Sequence, residues 1–471
     1  MRHISTRGEA PALGFADVML AGLARDGGLY VPEAWPRLER ETILGFAGRP
    51  YAEVAVEVIR RFTEDSISDA DLARMAREAY GNFRHSAVAP LTQLGVNTFA
   101  LELFHGPTLA FKDLAMQLVA RLMDHVLAAR GERRTVVVAT SGDTGGAAVE
   151  AFRDRSRVDL IVLFPKGRIS DVQRRMMTTA EAANIHAVAI DGTFDDCQAI
   201  VKGLFNHAAF RERVRLSGVN SINWARIVAQ TVYYFTAAVS LGAPYRKVAF
   251  TVPTGNFGDI YAGYVALRLG LPIDRLVIAT NVNDILTRTL ATGTYELREV
   301  VPTTSPSMDI QVSSNFERLL FDAYNRDGNA VRSLMGSLAQ SRRFTLSARA
   351  LSQIRALFTA DRADEDEVAA TMRTVLRETG NFVDPHTAVG IAVAEKELRD
   401  PTVPMVVLAT AHAAKFPDAV EAACGVRPRL PEWLSDLDQR PERVTLLPVD
   451  QSAVERFVLA TSRAAQEGAA A

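Results

Sequence analysis

The feature that most limits how this chain can fold is a recurring unit: an uninterrupted apolar, β-branched run, then a polar turn, then a helical stretch. Thr135–Ala139 (TVVVA) is followed by the turn Thr140–Gly146 and by a helix expected from about Ala147. Val158–Phe164 precedes the helix Ser170–Thr178, Ile185–Ile190 precedes Asp195–Phe205, and Val248–Val252 opens through Thr254–Asp259 onto Ile260–Leu269. Thr98–Phe104 leads through a loop to the helix Lys112–Arg130, and Leu276–Ala279 and Met405–Ala409 are further short strands. A strand with one wet face alternates apolar and polar residues. These runs do not alternate, so both faces must be covered. The pattern predicts an α/β protein with mostly parallel sheets flanked by helices.

Residues 1–95 read differently. Turns at Gly27–Gly28, Pro32, Pro36 and Gly48–Pro50 separate helical stretches, of which Tyr51–Phe62 and Asp69–Tyr80 are amphipathic. A chain of 471 residues exceeds one ordinary core. Three units are expected: a mostly helical N-terminal domain over 1–95, an α/β domain over 96–245, and a second α/β domain with the C-terminal region over 246–471.

In parallel sheets ligands sit beyond the carboxyl ends of the strands, so the turns there are where chemistry belongs. The turn His105-Gly106-Pro107-Thr108-Leu109-Ala110-Phe111 places Lys112 in the first turn of a helix. The positive helix N-terminus disfavours a cation and favours the free amine, the form that attacks an aldehyde. A surface lysine tolerating that position fits the same residues. Thr140-Ser141-Gly142-Asp143-Thr144-Gly145-Gly146 offers amides and hydroxyls to an anion at a helix start. It is not a P-loop, because no Gly-Lys-Ser/Thr follows, and a capped turn with Ser141 or Asp143 as N-cap is the plain alternative. Pro253-Thr254-Gly255-Asn256-Phe257-Gly258-Asp259 lets backbone amides approach a phosphate. It lacks the third glycine of a dinucleotide fingerprint, and no acidic residue about twenty positions on ends a second strand. A helix-start lysine with two anion-binding turns points to pyridoxal phosphate (PLP) beside an amino-acid carboxylate.

The balance of charges argues against other partners. A formal net charge of −2 gives no global field for nucleic acid or an anionic membrane. No run of about 18 uncharged apolar residues is present, and the N-terminus lacks a signal-like apolar stretch. Cys197 and Cys424 have no metal-ligand spacing and read as free thiols in a reducing compartment. The expectation is a cytoplasmic enzyme, monomer or homodimer, with no metal, nucleic-acid or membrane partner.

Five ordered motifs make the likeness specific. HGPTLAFKD, TSGDTGG, NSINWARI (Asn220–Ile227), PTGNFGD and LATAHAAKFPD (Leu408–Asp418) resemble those of the threonine synthase family, and RDGGLYVP (Arg25–Pro32) resembles its long bacterial and fungal form. The similarity runs over about residues 1 to 425. It implies the tryptophan-synthase-β-like, fold-type II architecture of PLP enzymes and conversion of O-phospho-L-homoserine and water to L-threonine and phosphate, the last step of threonine biosynthesis. It also implies that Lys112 carries the cofactor covalently and acts as the catalytic base. Gly255, Asn256, Phe257, Gly258 and Asp259 would hold the cofactor phosphate, Thr410 would meet the pyridine nitrogen, and Asp143 would lie near the phenolic oxygen, where related enzymes have asparagine. Ser141 and Thr144 would take the substrate carboxylate, and Ser221, Asn223 and Arg226 the substrate phosphate, with Lys415 a second candidate for that phosphate. A helix cap for Ser221 and a surface charge for Arg226 remain the plain readings. His105, His412 and His386 are left without a role. The rivals are a PLP lyase releasing a 2-oxo acid, a serine/threonine dehydratase, and a non-catalytic phosphometabolite-binding protein on the same fold.

Overall fold

The computed structural model describes residues 1–470. Two mostly parallel sheets carry the molecule. One has six strands in the order Phe358–Arg362, Ile273–Thr280, Val248–Pro253, Met405–Ala409, Thr98–Glu102 and Leu91–Gln93; only the last pairing is antiparallel. The other has five parallel strands in the order Thr445–Leu447, Ile185–Ile190, Val158–Pro165, Arg134–Ala139 and Leu216–Ser217. The apolar runs are the central strands, and Val158–Pro165, Val248–Pro253 and Met405–Ala409 are buried at every residue. Uninterrupted Val, Ile and Leu are what a strand covered on both faces requires. The fold is the expected α/β arrangement of mostly parallel sheets.

The sheets do not follow the contiguous segments 96–245 and 246–471, and this corrects the linear division. Thr98–Glu102 pairs with Met405–Ala409 in the six-stranded sheet, while Thr445–Leu447 pairs with Ile185–Ile190 in the five-stranded one. Parallel neighbours are joined by crossovers, so the chain is free to leave a sheet and return much later. The expected segment 246–471 ends in Ala471, outside the described residues.

Within residues 1–95 the helices Tyr51–Thr63 and Asp69–Tyr80 are present, but a small antiparallel sheet was not foreseen: Arg2–Ser5 pairs with Leu13–Gly14 and with Tyr30–Pro32. Its strands are too short to show a period of two. Phe358–Arg362 was missed because an edge strand reading FTADR is not uniformly apolar. The helix Trp224–Ser240, buried on nearly all sides, packs against Tyr51–Thr63, Lys112–Arg130 and Gly258–Arg268 and so ties the N-terminal helices to both sheets. No helix among the described residues is long and apolar enough to cross a membrane.

Candidate active site

The carboxyl ends of Arg134–Ala139, Val248–Pro253 and Met405–Ala409 open onto one cavity of about 840 Å³, which Phe111 and Lys112 also line. Lys112 is the first residue of the helix Lys112–Arg130, which ends at Gly131 in the left-handed region, φ +66°. The turn before it is held by its own helix. Asp113 accepts from the Thr108 amide at 2.8 Å and from the Thr108 hydroxyl at 2.7 Å, and the Phe111 amide donates to the Thr410 carbonyl at 2.8 Å. A Cβ on Gly106 would stand 2.5 Å from Asp113, so this clamp closes only over glycine. Burial lowers the Lys112 ammonium to about 8; Asp143 opposes that shift, and Arg226 and Lys415 add to it. The helix N-terminus invoked from sequence is therefore not the main cause. Desolvation of the charged form is.

Asp143 begins the helix Asp143–Phe152, four residues ahead of the expected Ala147. The early start comes from Thr140, whose hydroxyl accepts from the Gly142 and Gly145 amides at 2.9 Å each. Gly142 sits at φ +135°, and a Cβ there would lie 2.4 Å from Gln173. One Asp143 oxygen accepts from Lys415 Nζ at 2.8 Å and from Gln173 Nε2 at 2.9 Å, while the other lies 4.0 Å from Lys112 Nζ. Burial alone would raise the Asp143 carboxyl. The Lys415 and Lys112 ammoniums and the Gln173 amide overcome it and hold the group well below the usual carboxylate range. Asp143 is thus a carboxylate at neutral pH. Ser141 and Thr144 both line the cavity.

The third turn is built as an anion cradle. The Gly255 carbonyl accepts from the Ser313 hydroxyl at 2.6 Å, and the Asn256 carbonyl accepts from the Asn315 amide at 3.0 Å and its side chain at 2.9 Å. Phe257 holds the left-handed region at φ +62°. With the carbonyls tied back, the amides of Gly255, Asn256 and Phe257 have no protein acceptor among the described residues, and all three residues line the cavity. Asp259 also lines the cavity, with one carboxylate oxygen held by neighbouring tyrosines and the other without a partner among the described residues. Its carboxylate accepts from the hydroxyls of Tyr233 and Tyr234, and burial pushes it up to about 7 against the pull of those hydroxyls and of Arg226.

Two expected substrate ligands are placed elsewhere. Asn223 is fully buried and caps the helix Trp224–Ser240: its side chain accepts from the Ala225 amide at 3.0 Å and donates to the Met19 carbonyl at 2.8 Å and the Gly218 carbonyl at 3.0 Å. Lys415, fully buried, spends its donors on Asp143 and on the Thr108 carbonyl at 2.7 Å, and it is not part of the cavity wall. A buried ammonium needs a buried counter-ion, and Asp143 is that ion.

Ser221 and Arg226 do line the cavity. Arg226 is 2% exposed, and its Nη1 donates to the Val219 carbonyl at 3.1 Å. Its Nε has no partner among the described residues, and the carboxylate that acts on it, Asp259, forms no ion pair with it. Burial lowers it to about 10, which leaves it charged at neutral pH. A buried guanidinium with no direct ion-pair partner, facing a cavity, is a site for an anion. Thr410 lines the same wall. So does His386, which the sequence left unassigned: its Nδ1 lies 2.7 Å from Asp384 and its Nε2 accepts from the Ser307 amide at 3.3 Å. Asp384-Pro385 opening a helix was the signal available for it.

A lysine whose ammonium burial destabilises, set in one cavity with a row of unclaimed amides, fits a cofactor that carries both an aldehyde and a phosphate. The fold and this cavity define a fold-type II PLP enzyme, and residues 84–334 match the family described as pyridoxal-phosphate dependent enzyme. Residues 2–80 match threonine synthase N terminus, and residues 387–458 match threonine synthase, C-terminal. A threonine synthase of Pseudomonas aeruginosa is 53% identical over 459 residues, covering 97% of this chain and 98% of that one. The solved structure of PLP-bound threonine synthase from Brucella melitensis superposes with a TM-score of 0.96 at 62% identity, covering 98% of this chain and 100% of that one. That of threonine synthase from yeast gives 0.92 at 36%, covering 98% of each. The chain belongs to the threonine synthase family.

Proposed function

We propose that this cavity converts O-phospho-L-homoserine and water to L-threonine and phosphate. The observation that carries the reading is Arg226: a buried, unpaired guanidinium that lines the cavity of Lys112 in addition to the free amides of Gly255–Phe257. Two separate anion sites suit a phosphorylated cofactor and a phosphorylated substrate together. In this reading Gly255, Asn256, Phe257 and Gly258 hold the cofactor phosphate through their amides, and Asp259 supports the cradle through Tyr233 and Tyr234. Thr410 would meet the ring nitrogen, and Asp143 would lie near the ring oxygen. When bound, PLP supplies an electron sink for charge developing beside the amino-acid α-carbon. Ser141 and Thr144 orient the substrate carboxylate, while Ser221 and Arg226 hold the phosphate that departs from the γ-carbon. The Lys112 amine would remove the α-proton and, once a β-proton is also lost and phosphate has left the γ-carbon, would return protons along the chain. Water adds at the β-carbon.

Supplying phosphohomoserine to the PLP-loaded enzyme is expected to give threonine and phosphate in equal amounts. Phosphate accompanied by a 2-oxo acid and ammonia would establish the lyase rival in its place. A cytoplasmic location belongs to the same reading, supported by the free thiols Cys197 and Cys424.

Two results test the cofactor roles. A side chain at Gly255 would put its Cβ 2.6 Å from the Ser307 carbonyl, so Gly255→Val must displace the cradle. PLP affinity, measured by dialysis, should fall roughly 5- to 150-fold, from an overpacking cost of about 1–3 kcal/mol. Unchanged affinity in the folded variant moves the cradle elsewhere. Cofactor uptake by the apo-protein should accelerate as pH rises and level off above about 8, because only the Lys112 amine reacts and burial places its proton loss there. A rate that falls across that range contradicts Lys112 as the attachment point.

A further inference from the structure

The Lys415–Asp143 ion pair is deeply buried beside the cavity, with side chains 1% and 5% exposed, yet only the aspartate reaches the cavity wall. Lys415 joins three of the loops that build the site. Its Nζ holds Asp143 Oδ1 at 2.8 Å from the TSGDTGG turn and the Thr108 carbonyl at 2.7 Å from the turn that delivers Lys112. Its own carbonyl accepts from the Ser170 hydroxyl at 3.2 Å, and Ser170 caps the helix that supplies Gln173 to the same Asp143 oxygen. With Oδ1 taken by Lys415 and Gln173, only Oδ2 is left toward Lys112, 4.0 Å away.

We propose that Lys415 is a positioning residue for the reaction: by binding one oxygen of Asp143 it turns the other toward Lys112 and the cofactor ring, and it offsets part of the negative charge that Lys112 experiences. This explains how the chain uses aspartate, not asparagine, at position 143 without locking Lys112 as an ammonium. One carboxylate shared by two lysines leaves the surplus positive charge on the pair nearest the reaction, and the amine is the cheaper form to generate. The charged groups acting on Lys112 are Asp143, Arg226 and Lys415; those acting on Asp143 are Lys415 and Lys112. Asp113 and His412 also feel the Lys415 charge.

The inference rests on Lys112 carrying the cofactor, so the test first locates the cofactor in each protein by borohydride reduction and peptide mapping. The holoenzyme is then titrated with pH while visible absorbance reports the protonation of the lysine–cofactor linkage. Lys415→Met should raise the apparent titration point by about one pH unit, a roughly tenfold gain in proton affinity, because an undivided carboxylate then faces the linkage. Asp143→Asn should lower it, since Lys415 is left as an uncompensated cation. The double variant Asp143→Asn/Lys415→Met should fall between Asp143→Asn and the unaltered protein. It replaces the ion pair by neutral groups of similar size, and so keeps the test open if Lys415→Met alone does not fold. That order, Asp143→Asn lowest and Lys415→Met highest, is one a purely structural role would not produce. A cofactor mapped to Lys112 with an unmoved titration point in Lys415→Met and the double variant overturns the proposal. A cofactor mapped to another lysine overturns the assignment of Lys112 instead.

Discussion

Replacing Lys112 with alanine is expected to lower turnover of phosphohomoserine by on the order of 10³-fold or more while leaving the fold in place. The loss combines two functions of one amine, covalent attachment of PLP and proton transfer at the substrate carbons. The fold survives because the turn leading to Lys112 is fastened by Asp113 and Thr108, not by Lys112, whose nearest carboxylate, Asp143, remains paired with Lys415. Circular dichroism should therefore be unchanged, borohydride should fix no label, and PLP should bind reversibly in the amide cradle. Turnover near the original rate in the alanine variant would refute the assignment of Lys112.

Arg226→Ala should cost about 2–4 kcal/mol in kcat/KM for phosphohomoserine, roughly 30- to 1,000-fold, from the loss of a charge-assisted contact to phosphate. Stability should change little, because the guanidinium is buried with no direct ion-pair partner and removing it relieves a desolvation cost while giving up one bond to the Val219 carbonyl. Bound PLP should keep its normal spectrum, and amino acids lacking a phosphate, such as serine or homoserine, should perturb that spectrum as before. Arg226→Lys should recover only part of the loss, since a point charge does not reproduce a two-pronged contact. Equal losses for phosphorylated and plain ligands would assign Arg226 to folding or to the carboxylate, and a colourless variant would assign it to the cofactor.

The sheets and the turns that face the cavity were legible because each is written locally. The run TVVVA is a strand buried on both faces, and the bounds of the helix Lys112–Arg130 follow from Gly106-Pro107 before it and Gly131 after it. What sequence order does not carry is the direction in which a polar side chain turns. Asn223 stands in a motif beside Ser221 and Arg226, yet it points back to cap its own helix, because the four leading amides of a helix compete for any nearby oxygen. Lys415 reads as a free cation until the fold brings up Asp143, a partner from a distant part of the chain. Asn315, Ser313 and His386 shape the cavity through backbone bonds that no residue pattern announces. The short strands Arg2–Ser5 and Leu13–Gly14 are too brief for a period to register.

The return of Thr445–Leu447 to the five-stranded sheet has a consequence for how the molecule is made. Every residue of the cavity wall has left the ribosome by Thr410, and Lys415 follows at once. The outer edge of Ile185–Ile190 still lacks its neighbour, which emerges roughly 250 residues after it, at common rates of synthesis a delay of roughly ten to fifty seconds. Through the last part of that interval, from Lys415 to Thr445, a nascent chain holds all the groups needed for catalysis while presenting the backbone edge of an apolar strand, the kind of surface that pairs with other chains. Catalytic completeness and protection from aggregation are therefore reached at different moments of translation, and the stretch after Lys415 serves the second.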